Sequence, residues 1–238
     1  MIKVMIADDD LHLSNLFCDI LSQDKAVEIV KQTHTGVETI NQYLFLQPDV
    51  LILDLDMPIL NGIEVLNFLC NYSTEEQCKC NVLIISGHLK DYTLQKASKV
   101  FEVIETPFDL TILPNLVHNV YEFQQQNTRF NTYNNIIKNI LSKLKFDFSH
   151  AGTQYLIDAV LIAKQSALTV FSIDDLYKEI SQKYSTSPER VKWNIQNSIN
   201  SSYKLVGINA YQEAFANYDG RKPAPKYLIS SLLLLTDL

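Results

Sequence analysis

Five short apolar runs alternate with helical patterns in the first half of the chain, and this alternation constrains the fold more than any other feature. Uniformly apolar strands that alternate with helices are typical of a parallel sheet covered on both faces. The pattern predicts a doubly wound, five-stranded α/β domain over residues 1–123, with a ligand site at the carboxyl ends of the strands. One predicted helix, between the fourth and fifth runs, is polar. The runs are IKVMIA (2–7), VEIVKQ (27–32), VLILDLD (50–56), NVLIIS (81–86) and FEVIE (101–105).

No convincing strand pattern follows residue 123. The segment QQQNTRFN (124–131) is polar and has no apolar periodicity, so we interpret it as a short linker. Residues 132–238 show only helical spacing and predict an all-helical second domain. Within it, Ser172 with Asp175 resembles a capping box that starts a helix.

The charge differs between the two halves of a chain whose net charge is −7. Residues 1–130 carry 8 Lys and Arg against 18 Asp and Glu, whereas residues 131–238 carry 12 against 9. An acidic half followed by a mildly basic half indicates two domains with different partners.

The compartment is predicted from what the sequence lacks. The four cysteines do not have the spacing of a zinc site, and no apolar run has the roughly 20 residues that cross a bilayer. The N-terminus does not resemble a signal peptide. We therefore expect a cytoplasmic protein with reduced thiols and no membrane association.

Acidic and hydroxyl side chains follow three of the predicted strands. Asp8 and Asp9 follow the first strand, Asp54 the third, and Ser86 ends the fourth. Since the carboxyl ends of parallel strands lie side by side, the carboxylates are expected to converge and to require a cation, for which oxygen ligands favour Mg²⁺. This arrangement suits an aspartate that accepts a phosphoryl group, with Asp54 as the nucleophile.

These residues, together with the motif Asp54-x-x-Met57-Pro58-x-x-x-Gly62 and with Pro107-Phe108, resemble the receiver domain of two-component response regulators over residues 2–123. The resemblance implies a phosphoacceptor that is served by a histidine kinase or phosphotransferase, and a homodimer in the active state. The predicted residues are Asp54 as phosphoacceptor, Asp8, Asp9, Asp54 and Asp56 around Mg²⁺, and Ser86 and Thr106 as the phosphate switch.

The sequence departs from the receiver pattern at position 106. Receivers carry a lysine there that binds a phosphoryl oxygen, whereas this chain has Thr106, preceded by Glu105. Receivers also carry an aromatic residue where this chain has Val103. Two hypotheses therefore stay open. Either Asp54 is phosphorylated, or the receiver serves only as a dimerisation or docking module.

Two other interpretations of the acidic residues stay open. Asp8 and Asp9 could cap a helix while Asp54 ends a strand in a turn. The run LDLDMP also resembles the Asp-x-Asp motif of haloacid-dehalogenase-type phosphatases, although that family places the motif on its first strand and not on its third.

Residues 176–203, LYKEISQKYSTSPERVKWNIQNSINSSY, have the spacing of a helix-turn-helix. Ser187 is a predicted helix cap with Pro188 at the first helical position. On spacing alone, an ordinary helical hairpin is the favoured interpretation. The segments YLIDAV, KYSTSPERVKWNIQNSI and KPAPKYLIS resemble the effector domain of the stage-zero sporulation protein A family, transcription factors of endospore formation. The resemblance implies DNA binding in sporulation-related control by a regulator that is not an enzyme.

The predicted reading face departs from that family, which carries Glu-Arg and Arg-His pairs where this chain has Lys192-Trp193 and Gln196-Asn197. Gln and Asn suit adenine, whereas arginine reads guanine. Four interpretations stay open: a site richer in A·T, weak DNA binding, a protein interface centred on Trp193, or Trp193 packed on a neighbouring helix. The third fits an interaction protein that antagonises a kinase or the true regulator. The predicted DNA contacts are Ser187, Glu189, Arg190, Lys192, Trp193, Gln196 and Asn197, with Lys183, Lys204, Arg221 and Lys222 as peripheral phosphate contacts.

Overall fold

The computed structural model describes residues 1–72, 81–87, 100–165, 172–216 and 218–236. The chain divides into two compact units, Met1–Thr128 and Arg129–Leu238. The polar helix predicted between the fourth and fifth strands lies outside the described residues, as do Cys78 and Cys80.

The first unit contains a five-stranded parallel sheet in the order β2-β1-β3-β4-β5, which confirms the predicted α/β fold. Separate apolar clusters cover the two faces of the sheet. As far as β4, the described elements alternate between strands and helices. Their bounds are β1 Ile2–Ala7, α1 Leu11–Leu21, β2 Val27–Thr33, α2 Gly36–Leu46, β3 Val50–Leu53, α3 Gly62–Tyr72, β4 Val82–Ser86 and β5 Val100–Glu105.

Side chains that alternate along the central strands supply two separate cores. Val4 and Ile6 of β1 face a cluster that includes Phe17 of α1. Met5 and Ala7 face the opposite cluster, which includes residues of α2 and α3. All four residues of β3 are buried. This double burial explains why the central strands β3 and β4 are almost wholly apolar. Parallel pairing of β1 with β3 and of β3 with β4 places their carboxyl ends side by side.

A long helix, α4, crosses from the first unit into the second. A 3₁₀ turn at Leu110–Ile112 precedes it, with Asp109 as its cap, and α4 itself spans Leu113–Lys143. The predicted linker, residues 124–131, is therefore helical. A polar composition is compatible with a helix here, because glutamine and arginine are good helix formers and the segment contains neither glycine nor proline.

The second unit is all-helical, as predicted. Its further helices are α5 Ala151–Gln165, α6 Ile173–Lys183, α7 Pro188–Ala214 and α8 Pro225–Leu235. Ser172 caps α6 and Ser187 caps α7, each by accepting a backbone N–H bond, which confirms both predicted caps. Helix α7 is interrupted at Gly207, whose φ of 71° is not helical. No helix in the described part of the chain is long and apolar enough to cross a membrane.

Candidate functional site

Three carboxylates meet where β1 and β3 end. Asp8 and Asp9 follow β1, Asp54 follows β3, and one oxygen of each lies within 4.8 Å of the others. The strands are held together at this point, because the Asp54 N–H donates to the carbonyl of Ala7 at 2.8 Å. Helix α1 is capped by Asp10, whose carboxylate accepts from the N–H groups of His12 and Leu13. The convergent pair Asp8 and Asp9 is therefore not the cap of that helix.

Asp8 is the most buried member of this cluster, with 4% of its surface exposed. Burial raises the pKa of Asp8 to about 7, and repulsion from neighbouring carboxylates, Asp54 foremost, acts in the same direction. A 2.8 Å hydrogen bond from the Asp10 N–H to Asp8 Oδ1 opposes the shift. The ring Nδ1 of His34, which the sequence did not indicate, lies 2.8 Å from the Asp8 carbonyl oxygen.

Asp54 is half-buried at the mouth of the sheet. Burial raises its pKa, whereas hydrogen bonds from Ser86 and from the Asp56 N–H lower it. The Asp56 N–H donates to Asp54 Oδ2 at 3.0 Å. The Ser86 hydroxyl also donates to Asp56 Oδ2, at 3.3 Å, so Asp56 lies beside the hydroxyl predicted to bind a phosphoryl oxygen.

Position 106 lies next to Ser86. The Thr106 N–H donates to the Ser86 carbonyl at 3.1 Å, and Thr106 is half-buried. Its Oγ1 lies near Gly87, where an added Cβ would be 3.3 Å away. Glu105 is exposed, and Val103 packs against the α2–α3 side of the core. The threonine thus occupies the predicted switch position without the positive charge of a lysine.

The donor set of the cluster fits a hard divalent cation. All three groups are carboxylates, and oxygen-only ligands suit Mg²⁺ better than softer metals. Burial and neighbouring carboxylates raise the pKa of Asp8, and a cation at the cluster would favour its ionised form.

The second candidate site is the pair α6–α7. Helix α6 ends at Lys183, and α7 begins at Pro188 after a four-residue turn in which Ser185 has a φ of 49°. The predicted apolar stripe of α7, made of Val191, Ile195 and Ile199, is fully buried. The opposite face of α7 is left to solvent, which is the arrangement that helix-turn-helix recognition requires.

The predicted DNA contacts occupy the accessible part of α7. Trp193 is 65% exposed, which rules out the interpretation that it packs on a neighbouring helix. Gln196 and Asn197 are half-buried at the edge of the same face, and Gln196 donates to Asn200 Oδ1 at 3.2 Å. Asn200 was not predicted, although its i+4 spacing from Gln196 was a usable signal. Ser187, Glu189, Arg190 and Lys192 are exposed near the start of the helix.

Two family models match the chain. The response regulator receiver domain matches residues 4–117, and the C-terminal domain of the sporulation initiation factor Spo0A matches residues 137–233. The matches agree with the two resemblances identified from the sequence.

Curated relatives match over a smaller part of the chain. Two proteins named protein-glutamate methylesterase/protein-glutamine glutaminase are similar: one from Clostridium acetobutylicum, 37% identical over 65 residues, and one from Bacillus subtilis, 33% identical over 66. These matches cover 27% and 28% of this chain, which spans less than a fifth of either relative, 19% and 18%.

Solved structures of receiver domains are similar to about half of the chain. The response regulator domain of Thermotoga maritima CheB is 21% identical with a TM-score of 0.42, covering 51% of this chain and 95% of that one. The receiver domain of AraT from Geobacillus stearothermophilus is 26% identical with a TM-score of 0.43, covering 52% and 96%.

Proposed function

The chain joins a receiver domain to a Spo0A-type C-terminal domain, the arrangement of a Spo0A-like response regulator, and from this premise we propose that it is a phosphorylation-controlled transcription factor. Asp54 is the proposed phosphoacceptor, and the exposed face of α7 is the proposed DNA-reading surface. The observation that carries the proposal is the convergence of Asp8, Asp9 and Asp54 at the ends of adjacent strands.

In the proposed reaction an Asp54 oxygen attacks the phosphorus of a phosphohistidine donor. The bond from phosphorus to the Asp54 oxygen forms as the bond from phosphorus to the donor's nitrogen breaks, and the electron pair leaves with that nitrogen. Hydrogen bonds from Ser86 and the Asp56 N–H favour the ionised, nucleophilic form of Asp54. After transfer, the Ser86 hydroxyl and the Thr106 hydroxyl are the proposed donors to phosphoryl oxygens.

Asp8, Asp9 and Asp54 are the proposed ligands of Mg²⁺. Asp56, the fourth predicted ligand, is not among the three carboxylates that converge, and its Oδ2 accepts from the Ser86 hydroxyl. The ion, when bound, neutralises negative charge on the cluster and on the incoming phosphoryl group. The protein's own contribution is to hold the three carboxylates together through the parallel pairing of β1 and β3.

Recognition of DNA is proposed for the face of α7 that carries Trp193, Gln196 and Asn197. Amide side chains suit the N6 and N7 groups of adenine, and Trp193 offers an apolar surface for a thymine methyl group. We therefore propose a binding site richer in A·T pairs, with Arg190 and Lys192 on phosphate or base edges. Pairs of receivers would bring two effector domains to adjacent half-sites.

The phosphoryl half of the proposal is tested by intact mass after incubation with Mg²⁺ and a small acyl phosphate. We expect a phosphoryl adduct on the wild-type chain and none on Asp54→Asn, with Asp19→Asn, an exposed carboxylate on α1, as the matched control that still forms it. An adduct of equal yield on Asp54→Asn would refute Asp54 as the acceptor. No adduct on the wild type from either an acyl phosphate or a phosphohistidine protein would refute phosphorylation.

A second candidate function is an interaction protein that occupies a kinase or another regulator without reading DNA. The exposure of Trp193 favours it, because tryptophan is a frequent anchor of protein interfaces. Binding to A·T-rich duplex DNA across a salt series separates the two. A transcription factor loses affinity with salt at a slope of about −0.9 per phosphate contact. An antagonist of this kind shows no such binding.

A further inference from the structure

Asp158 is unusual among the acidic side chains that the structure describes in the second unit, because it alone is buried. It lies on α5 within the apolar segment YLIDAVLIA, and 5% of its surface is exposed. A buried carboxylate is destabilising unless it is paired and hydrogen-bonded. The partners of Asp158 therefore show which part of the domain its charge stabilises.

Partners of Asp158 come from α5 itself and from the end of α6. Lys183 Nζ donates to Asp158 Oδ2 at 2.8 Å, and Gln154 Nε2 donates to Oδ1 at 3.3 Å. Burial raises the pKa of Tyr184 to about 12, and hydrogen bonding to Asp158 acts in the same direction. We call Gln154, Asp158, Lys183 and Tyr184 the Asp158 network.

Two residues of the Asp158 network lie in the chain just before α7, the proposed DNA-reading helix. Lys183 is the last residue of α6, and Tyr184 is the first residue of the turn into α7. The ring of Tyr184 also packs against that of Tyr155 on α5, with centroids 4.8 Å apart. Beyond Tyr184, the Thr186 N–H donates to the Ser181 carbonyl at 2.9 Å, and Ser187 then caps α7.

We propose that the Asp158 network fixes the turn between α6 and α7, and that Lys183 acts through Asp158 and is not a phosphate contact. The buried carboxylate and the Tyr184 ring, 5.4 Å from Lys183 Nζ, hold the ammonium group at the turn. The consequence for DNA reading rests on the proposed function, whereas the effect on the turn does not. The network residues are positioning residues.

Hydrogen exchange of the full-length chain tests the effect on the turn without DNA. In Asp158→Asn and in Lys183→Met we expect the Thr186 and Arg190 amides to exchange on the order of tenfold faster. Because both variants break one network, the double variant should exchange no faster than either single variant. The turn amides should be accelerated more than those of the α5 core, which separates loosening of the turn from general destabilisation.

Two variants serve as controls for this experiment. Lys178→Met removes an exposed lysine whose partner, Asp175, lies 3.5 Å away, and it should leave the Thr186 and Arg190 amides unchanged. Lys183→Arg keeps the positive charge and should preserve protection of the turn. Unchanged turn amides in Asp158→Asn, or additive effects in the double variant, would overturn the proposal.

Salt dependence of DNA binding tests the role assigned to Lys183. Lys183→Met should lower the ratio of specific to non-specific affinity while it leaves the salt slope of the wild type intact. Lys192→Met, which removes a proposed DNA contact, should make the slope shallower by about 0.9. A slope change of that size in Lys183→Met would show direct phosphate contact and refute this role. Absence of DNA binding by the wild type would refute the proposed function, and hydrogen exchange would still decide the proposal about the turn.

Discussion

Asp8 illustrates at the level of one residue how the candidate phosphoacceptor site opposes the stability of the domain. Its carboxyl group is buried beside two other acids, and its pKa is raised to about 7 from an ordinary value of 3.8. The unfolded chain therefore ionises Asp8 near pH 4, whereas the folded chain keeps the proton up to neutral pH. Without a cation, the stability that the protonated form contributes is fully present below pH 4 and is lost as pH rises through about 7.

Asp8→Asn should remove this pH dependence. In the presence of a chelator at pH 8, we expect the variant to be more stable than the wild type by roughly 2 kcal/mol, a figure reduced for solvent screening. At pH 4 the two proteins should be nearly equal. Urea unfolding at the two pH values measures the difference, with exposed Asp19→Asn as the control. A wild type whose metal-free stability rises between pH 4 and 8 relative to Asp8→Asn would contradict the expectation.

At the level of elements, the position of α7 depends on how closely α5 approaches it. A Cβ on Gly152 of α5 would lie 2.0 Å from the Asn194 carbonyl oxygen and 2.5 Å from Ser198 Oγ. Asn194 follows Trp193 directly, so this approach sets the depth at which the reading helix sits on the domain. Glycine is required here for lack of space, whereas elsewhere in a helix it would be a poor choice.

Gly152→Ala should therefore destabilise the second unit by roughly 1–3 kcal/mol, although the same change at an open helical position stabilises. The midpoint temperature of thermal unfolding and the affinity for DNA should both decrease. The Ser198→Ala change should not rescue Gly152→Ala, because the nearest obstacle is the backbone of Asn194 and not the hydroxyl. Full rescue by Ser198→Ala, or a gain in stability from Gly152→Ala alone, would show that the helices can separate at little cost.

The elements also show how far the sequence could predict the molecule. The convergence of Asp8 and Asp54 followed from strand order, because parallel strands bring their carboxyl ends to one edge. The pairing of Asp158 with Lys183, 25 residues apart, depends on how helices cross, and neither periodicity nor spacing encodes that. The sequence therefore indicates Lys183 only as a peripheral phosphate contact, and its ion pair with Asp158 is visible only in the structure. The helical state of residues 124–131 was missed because a polar helix has no apolar stripe to reveal it.

For the whole molecule, the distribution of charge separates the two proposed tasks. Residues 1–130 carry 8 basic and 18 acidic side chains, and residues 131–238 carry 12 and 9. Attraction to DNA therefore cannot come from the net charge of the chain and has to come from local cations such as Arg190 and Lys192. Under the proposed function, the negative charge of residues 1–130 is expected to weaken DNA binding at low salt, and phosphorylation or pairing of the receiver is expected to change DNA affinity.

Thr106→Lys is expected to increase the effect of phosphorylation on DNA affinity, because it restores the cation that receivers carry. A charge-assisted bond from lysine to a phosphoryl oxygen contributes roughly 1.5–3 kcal/mol, and a threonine hydroxyl supplies only part of it. With an acyl phosphate and Mg²⁺, Thr106→Lys should therefore show a larger phosphodonor-dependent increase in dimer formation and DNA affinity than the wild type. Sedimentation and DNA titration measure the two responses.

The double variant Asp54→Asn/Thr106→Lys is the control, since it retains the new charge without the acceptor. An equal gain in the double variant would show that the lysine acts by charge alone. A response identical to the wild type would show that position 106 does not contact the phosphoryl group in this protein.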